Sequence, residues 1–200
     1  MASVVSHDLQ NPLTIAQGYL DQAQSTGEAE YFDHAADALR EIREISEGVV
    51  TMARIGQQVE SPDPVDAETL VQSCWQELDA PEATLSVERV SEIAARRRHL
   101  RELFERLLEN AVVHGPADVD VTVGETEAGF FVADDGPGVD STRRESVVEA
   151  AYSTVQGRTG LDLAVARAAA EAHGWRLTIG ESEAGRFRVD IVCDPPVPTR

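Results

Sequence analysis

The chain contains no lysine: its 17 basic residues are all arginine, set against 36 acidic residues among 200, for a net charge of −19. A surface so poor in cations argues against nucleic acid and anionic membrane as partners. It suits a protein bathed in concentrated salt, where the Debye length falls to about 3 Å at 1 M and self-repulsion is screened. The expectation is a halophilic protein of an archaeal cytosol. Cysteine is nearly absent too. Cys74 and Cys193 lie in separate apolar stretches without metal-ligand spacing, and read as small buried hydrophobes rather than a disulfide. No apolar run approaches the roughly 18 residues needed to span a bilayer, and no signal peptide is visible. The chain therefore reads as soluble and cytoplasmic, with no membrane segment.

What is present is strongly periodic. Val5, Leu9, Leu13, Ala16, Leu20 and Ala23 step at helical spacing, predicting a helix over 2–24 and a turn at Ser25-Thr26-Gly27. A second helix is expected over 28–55, striped by Phe32, Ala35, Leu39, Ile42, Ile45, Val49 and Met52. Such an antiparallel hairpin has little core of its own, so homodimerisation into a four-helix bundle is expected. Residues 1–57 form this unit, and the polar, proline-bearing stretch 58–65 reads as a linker. Residues 66–195 mix the two periodicities. Helices are expected over 66–78, 96–114 and 160–173, a strand over 83–88, and paired strands over 118–125 and 129–133. The stretches 176–181 and 186–192 read as a closing hairpin. Runs without strict βαβ alternation argue for an α+β sandwich with helices on one face of a mixed sheet.

The first helix carries Ser6-His7-Asp8-Leu9-Gln10-Asn11-Pro12-Leu13. His7 and Asn11 share a face, and Pro12 cannot donate to the Asp8 carbonyl, which loosens the helix beside the imidazole. This octapeptide resembles the phosphoacceptor box of sensor histidine kinases. Further on, Arg106-Leu107-Leu108-Glu109-Asn110-Ala111 resembles the asparagine box. Asp134-Asp135-Gly136-Pro137-Gly138, at the end of an apolar strand, resembles the first glycine box. Gly157-Arg158-Thr159-Gly160-Leu161-Asp162-Leu163 resembles the second, with Tyr152-Ser153-Thr154 before it at the end of the ATP lid.

The resemblance implies a sandwich of the GHKL ATPase type holding ATP and Mg2+. Asp134 would read the adenine amino group, Asn110 would hold the metal, and His114 would face the phosphates. Gly136, Gly138, Thr159, Gly160 and Leu161 would cradle the nucleotide. It further implies that His7 accepts the γ-phosphoryl group, with Asp8 as base or orienting group, and that the phosphoryl passes to an aspartate of a response-regulator receiver domain. Asn11 matches a position implicated in the reverse, phosphatase, activity. With six residues before His7, the chain reads as the core of a longer sensor.

The match departs from the family pattern around the phosphates. Arg106 stands where a second Asn is common, and Arg158 and Asp162 stand where glycines are expected. Arginine cannot ligate magnesium but can neutralise phosphate. Thr159-Gly160-Leu161-Asp162 reads as a capping box, in which the Asp162 carboxylate reaches back to helix-terminal donors that would otherwise receive phosphate. The alternative function is a docking or phosphatase partner with weak or no ATP turnover.

Overall fold

The computed structural model describes residues 2–55, 61–136, 159–181 and 187–193, with the side chains of residues 2–8, 159–161 and 181 outside that description. Two long helices open the chain, α1 (Ala2–Thr26) and α2 (Ala29–Ile55). They turn at Gly27, whose φ of +75° suits glycine and whose N–H donates to the Ala23 carbonyl (2.9 Å). Pro12 sits buried inside α1. The buried residues of the hairpin are mostly small: Ala16 and Ala23 on α1, and Ala35, Ala38 and Gly48 with Ile45 on α2. The expected α2 stripe is thus only partly inward, since Phe32 and Leu39 are exposed.

The remaining elements among the described residues are β1 (Asp63–Val65), α3 (Ala67–Gln76), β2 (Thr84–Val87), β3 (Ile93–Ala95), α4 (Arg97–His114), β4 (Asp120–Thr126), β5 (Gly129–Asp134), α5 (Thr159–Glu171), β6 (Arg176–Glu181) and β7 (Phe187–Val192). The five-stranded sheet runs β2-β4-β5-β7-β6. Among the described strands of this sheet, only the β2–β4 pair is parallel. Helices α4 and α5 pack on each other and on one face of the sheet. Leu100, Leu103, Phe104, Leu107 and Leu108 of α4 meet Val121, Phe130, Val132, Val189 and Ile191 of the strands. This is the expected helical hairpin followed by an α+β sandwich.

Residues 63–65, expected to close the linker, instead form a strand: β1 pairs antiparallel with β3. That ribbon leads into α3, whose N-cap Asp66 accepts from the Thr69 N–H (3.0 Å) and hydroxyl (2.7 Å). Hairpin and sandwich touch. Helix α2 packs on α5, and Ile55 is buried in the sandwich core. Both cysteines are free and buried, as expected, and burial pushes the Cys74 thiol up to about 11 and the Cys193 thiol up to about 12.

His173 fastens the far end of the helical layer. Its Nδ1–H donates to the Ala169 carbonyl at the end of α5 (2.8 Å), while its Nε2 accepts the Arg96 N–H at the start of α4 (2.8 Å). Those two bonds select one neutral tautomer. The ring stacks on Trp175 with centroids 4.2 Å apart. Burial, foremost, holds its pKa below the ordinary histidine value.

Candidate nucleotide site

Strand β5 ends on Asp134, and alternation along the strand places that side chain inward with Phe130 and Val132. Asp134 is 8% exposed, and its Oδ1 accepts the Gly136 N–H at 3.0 Å. Burial raises its pKa, the Gly136 bond opposes that rise, and the neighbouring charge of Asp135 adds to it. A buried carboxylate with one acceptor oxygen committed keeps acceptor capacity for a donor such as an exocyclic amine. The turn is fixed from its other side, where Asp135 Oδ1 accepts the Asp120 N–H (2.8 Å) and the Asp135 N–H donates to the Asp120 carbonyl (3.2 Å).

Space at position 136 is tight. A Cβ there would lie 2.8 Å from Asp134 Oδ1 and 3.4 Å from the Gly115 Cα. The same figures show that the end of β5 and the end of α4 meet. One turn and a half back along α4 is Asn110, 5% exposed, whose Oδ1 has no hydrogen-bond partner among the described residues. Leaving such a buried oxygen unsatisfied costs about 1–3 kcal/mol, and an amide oxygen is a competent ligand for a hard cation. The donor chemistry therefore fits a magnesium ion held partly by the protein and partly by substrate phosphates.

His114, one turn beyond Asn110, is exposed because α4 ends there. Partial burial on its inner side holds the imidazole below its ordinary pKa. Asn11 is exposed on α1. His7 and Asp8 lie within α1, and Thr159, Gly160 and Leu161 open α5, but their side chains fall outside the described residues. Gly138, Arg158 and the Tyr152-Ser153-Thr154 element also lie outside them.

Arg106, which could neutralise phosphate, is held among three carboxylates in this structure. Its Nε donates to Glu102 (3.0 Å), and its Nη1 donates to Glu109 (3.0 Å) and to Asp162 (3.4 Å). The Asp162 carboxylate thus reaches across to α4. Sequence reasoning did not anticipate this pairing, although the signal was there: two departures from one family pattern, opposite in charge. It also missed the His173 bonds and the approach of Gly115 to Gly136, neither of which has a local signature.

Residues 95–197, about half of the chain, match the family described as histidine kinase-, DNA gyrase B- and HSP90-like ATPase. Residues 1–58 match the His Kinase A (phospho-acceptor) domain. The probable sensor histidine kinase TcrY of Mycobacterium tuberculosis is 28% identical over 199 residues, a match spanning 88% of this chain and 42% of TcrY. The sensor protein kinase CarS of Pseudomonas aeruginosa is 38% identical over 100 residues, 48% of this chain and 22% of CarS. The chain therefore spans well under half the length of these curated relatives. Among solved structures, the Acinetobacter baumannii histidine kinase AdeS superposes with a TM-score of 0.69 at 19% identity, covering 92% of this chain and 95% of that one, which establishes likeness of fold. The chain belongs to the histidine kinase-, DNA gyrase B- and HSP90-like ATPase family, carrying that domain behind a His Kinase A phospho-acceptor domain, the arrangement of a sensor histidine kinase core.

Proposed function

We propose that this chain is the core of a two-component sensor histidine kinase, transferring the γ-phosphoryl group of ATP to His7 and then to an aspartate of a response-regulator receiver domain. The observation that carries the reading is the pairing of buried Asp134 with the orphaned Asn110 oxygen, joined through the Gly115–Gly136 approach, behind a phosphoacceptor hairpin. Asp134 accepts the adenine amino hydrogen. Asn110 holds Mg2+, which when bound supplies charge neutralisation along the phosphates. His114 stands beside the phosphates, and the glycines at 136, 138 and 160, with Thr159 and Leu161, shape the cradle. A neutral ring nitrogen of His7 attacks the γ-phosphorus. The N–P bond forms as the bond to the bridging oxygen breaks, ADP departs, and Asp8 takes or steadies the imidazole proton. Asn11, one turn on, serves the reverse hydrolysis.

The division into a hairpin, 1–57, a connecting stretch, 58–65, and a catalytic domain, 66–195, goes with this reading, as does a cytoplasmic location. No helix among the described residues is long and apolar enough to cross a membrane. Homodimerisation is supported by the hairpin itself. Its buried residues are mostly small, while Leu13, Leu20, Phe32, Leu39 and Val50 remain exposed, enough apolar surface to call for a partner. The excess of acidic residues supports a halophilic setting.

The test is incubation with labelled ATP and magnesium at molar KCl, beside His7→Gln. Label is expected on the parent and absent from the variant. An unlabelled parent that still binds nucleotide would sink the kinase reading. It would favour a docking or phosphatase partner, a second reading supported by the charge pair that stands where the family pattern has Asn and Gly.

A further inference from the structure

Two of the chain's departures from the family pattern, 56 residues apart in sequence, meet in space. Arg106 lies one turn ahead of Asn110 on α4, and Asp162 lies in the first turn of α5. Both side chains are about a quarter exposed, and Arg106 Nη1 donates to Asp162 Oδ1 at 3.4 Å. Resting on the nucleotide-binding reading, we propose that Arg106 and Asp162 act as a compensating pair. Arg106 neutralises an aspartate that would otherwise push the first turn of the glycine-box helix off the asparagine-box helix at the phosphate end of the site.

The surroundings make the two partners unequal. Arg106 has further carboxylates on its own helix, Glu102 one turn before it and Glu109 one turn after it. Asp162 has no other cation bonded to it among the described residues. Burial foremost, and then the negative charges of Glu109 on α4 and Glu44 on α2, push its carboxyl up to about 6 even with Arg106 in place. Remove Asp162, and Arg106 keeps two partners. Remove Arg106, and a half-buried carboxylate is left against two like charges, which drives the first turn of α5 away from α4. An asparagine–glycine combination has neither problem. The two departures are therefore tolerable together and the aspartate is harmful alone.

This asymmetry is measurable with Arg106→Asn, Asp162→Gly, the double variant and Arg106→Lys, by calorimetric titration of magnesium and ADP at pH 8 and by thermal midpoint. Arg106→Asn should weaken ADP binding about tenfold, a coupling usual for neighbours in one ion-pair network. Asp162→Gly should change it by no more than about threefold, and the double variant should return to within about threefold of the parent. Arg106→Lys should restore most of the loss. Lowering the pH from 8 to 6 should improve Arg106→Asn relative to the double variant, a comparison that cancels protonation of ADP itself. A double variant as weak as Arg106→Asn, or an Arg106→Asn protein that binds like the parent, overturns the pair. If the parent binds no ADP, the nucleotide reading fails by itself. The thermal midpoints then still decide the pair: lowest in Arg106→Asn and recovered in the double variant if it exists, additive if it does not.

Discussion

Asp134→Asn separates recognition from folding. Asn keeps an oxygen for the Gly136 N–H, now 3.0 Å from Asp134 Oδ1, so the turn survives. Its second atom becomes an NH2 donor, set against an adenine amine that is also a donor. A hydrogen bond to a charged acceptor contributes about 1.5–3 kcal/mol, so ADP affinity should fall between roughly tenfold and a hundredfold at pH 7.5. Stability should move the other way. Burial raises the Asp134 pKa in the folded chain, so the folded state holds that proton more tightly than the unfolded one. The associated stability is present below the ordinary carboxylate pKa and is lost as pH rises through the raised value. A neutral Asn escapes that loss, so the variant should unfold at the same or higher denaturant concentration than the parent at pH 7.5. Calorimetry with ADP and guanidinium titration read the two effects. Binding within twofold of the parent would refute Asp134 as the adenine reader. A loss of stability would show instead that its charge holds the fold.

Two further expectations concern the scaffold. His173→Phe keeps a ring beside Trp175 but forfeits two hydrogen bonds, costing about 2–3 kcal/mol at pH 7.5 by chemical denaturation. The folded pKa of His173 is depressed, so its contribution is present above the ordinary histidine value and is lost as pH falls. The gap between parent and variant should therefore narrow at pH 5.5, and a constant gap would contradict the neutral tautomer. Gly129→Ala drives a Cβ to 2.0 Å from the Ile191 carbonyl oxygen, a backbone atom that cannot swing aside, and should cost about 3 kcal/mol. Gly18→Ala, with nothing within 4 Å in α1, should instead gain about 0.5–1 kcal/mol, and equal thermal midpoints for the two variants would discredit the steric reasoning.

The sequence by itself determined most of the elements. The apolar steps of α1, α2 and α4 and the alternation in β4, β5 and β7 are local patterns, and each of these elements lies within a few residues of its expected bounds. It also pointed to Asn110 and Asp134 as candidates, because each sits in a short motif whose chemistry depends on neighbours in the chain, and the fold buries both. Three residues of β1 and three of β3 carry too little periodicity to be recognised, and only their pairing defines them. Which hydrophobic residues of α2 face inward was likewise decided by packing, because alanines and a glycine take buried positions and leave Phe32 and Leu39 outside. The charges on Arg106 and Asp162 are legible from the sequence, but their meeting is not. An ion pair requires two groups within a few ångströms, and only the docking of α5 on α4 brings these together across 56 residues of chain.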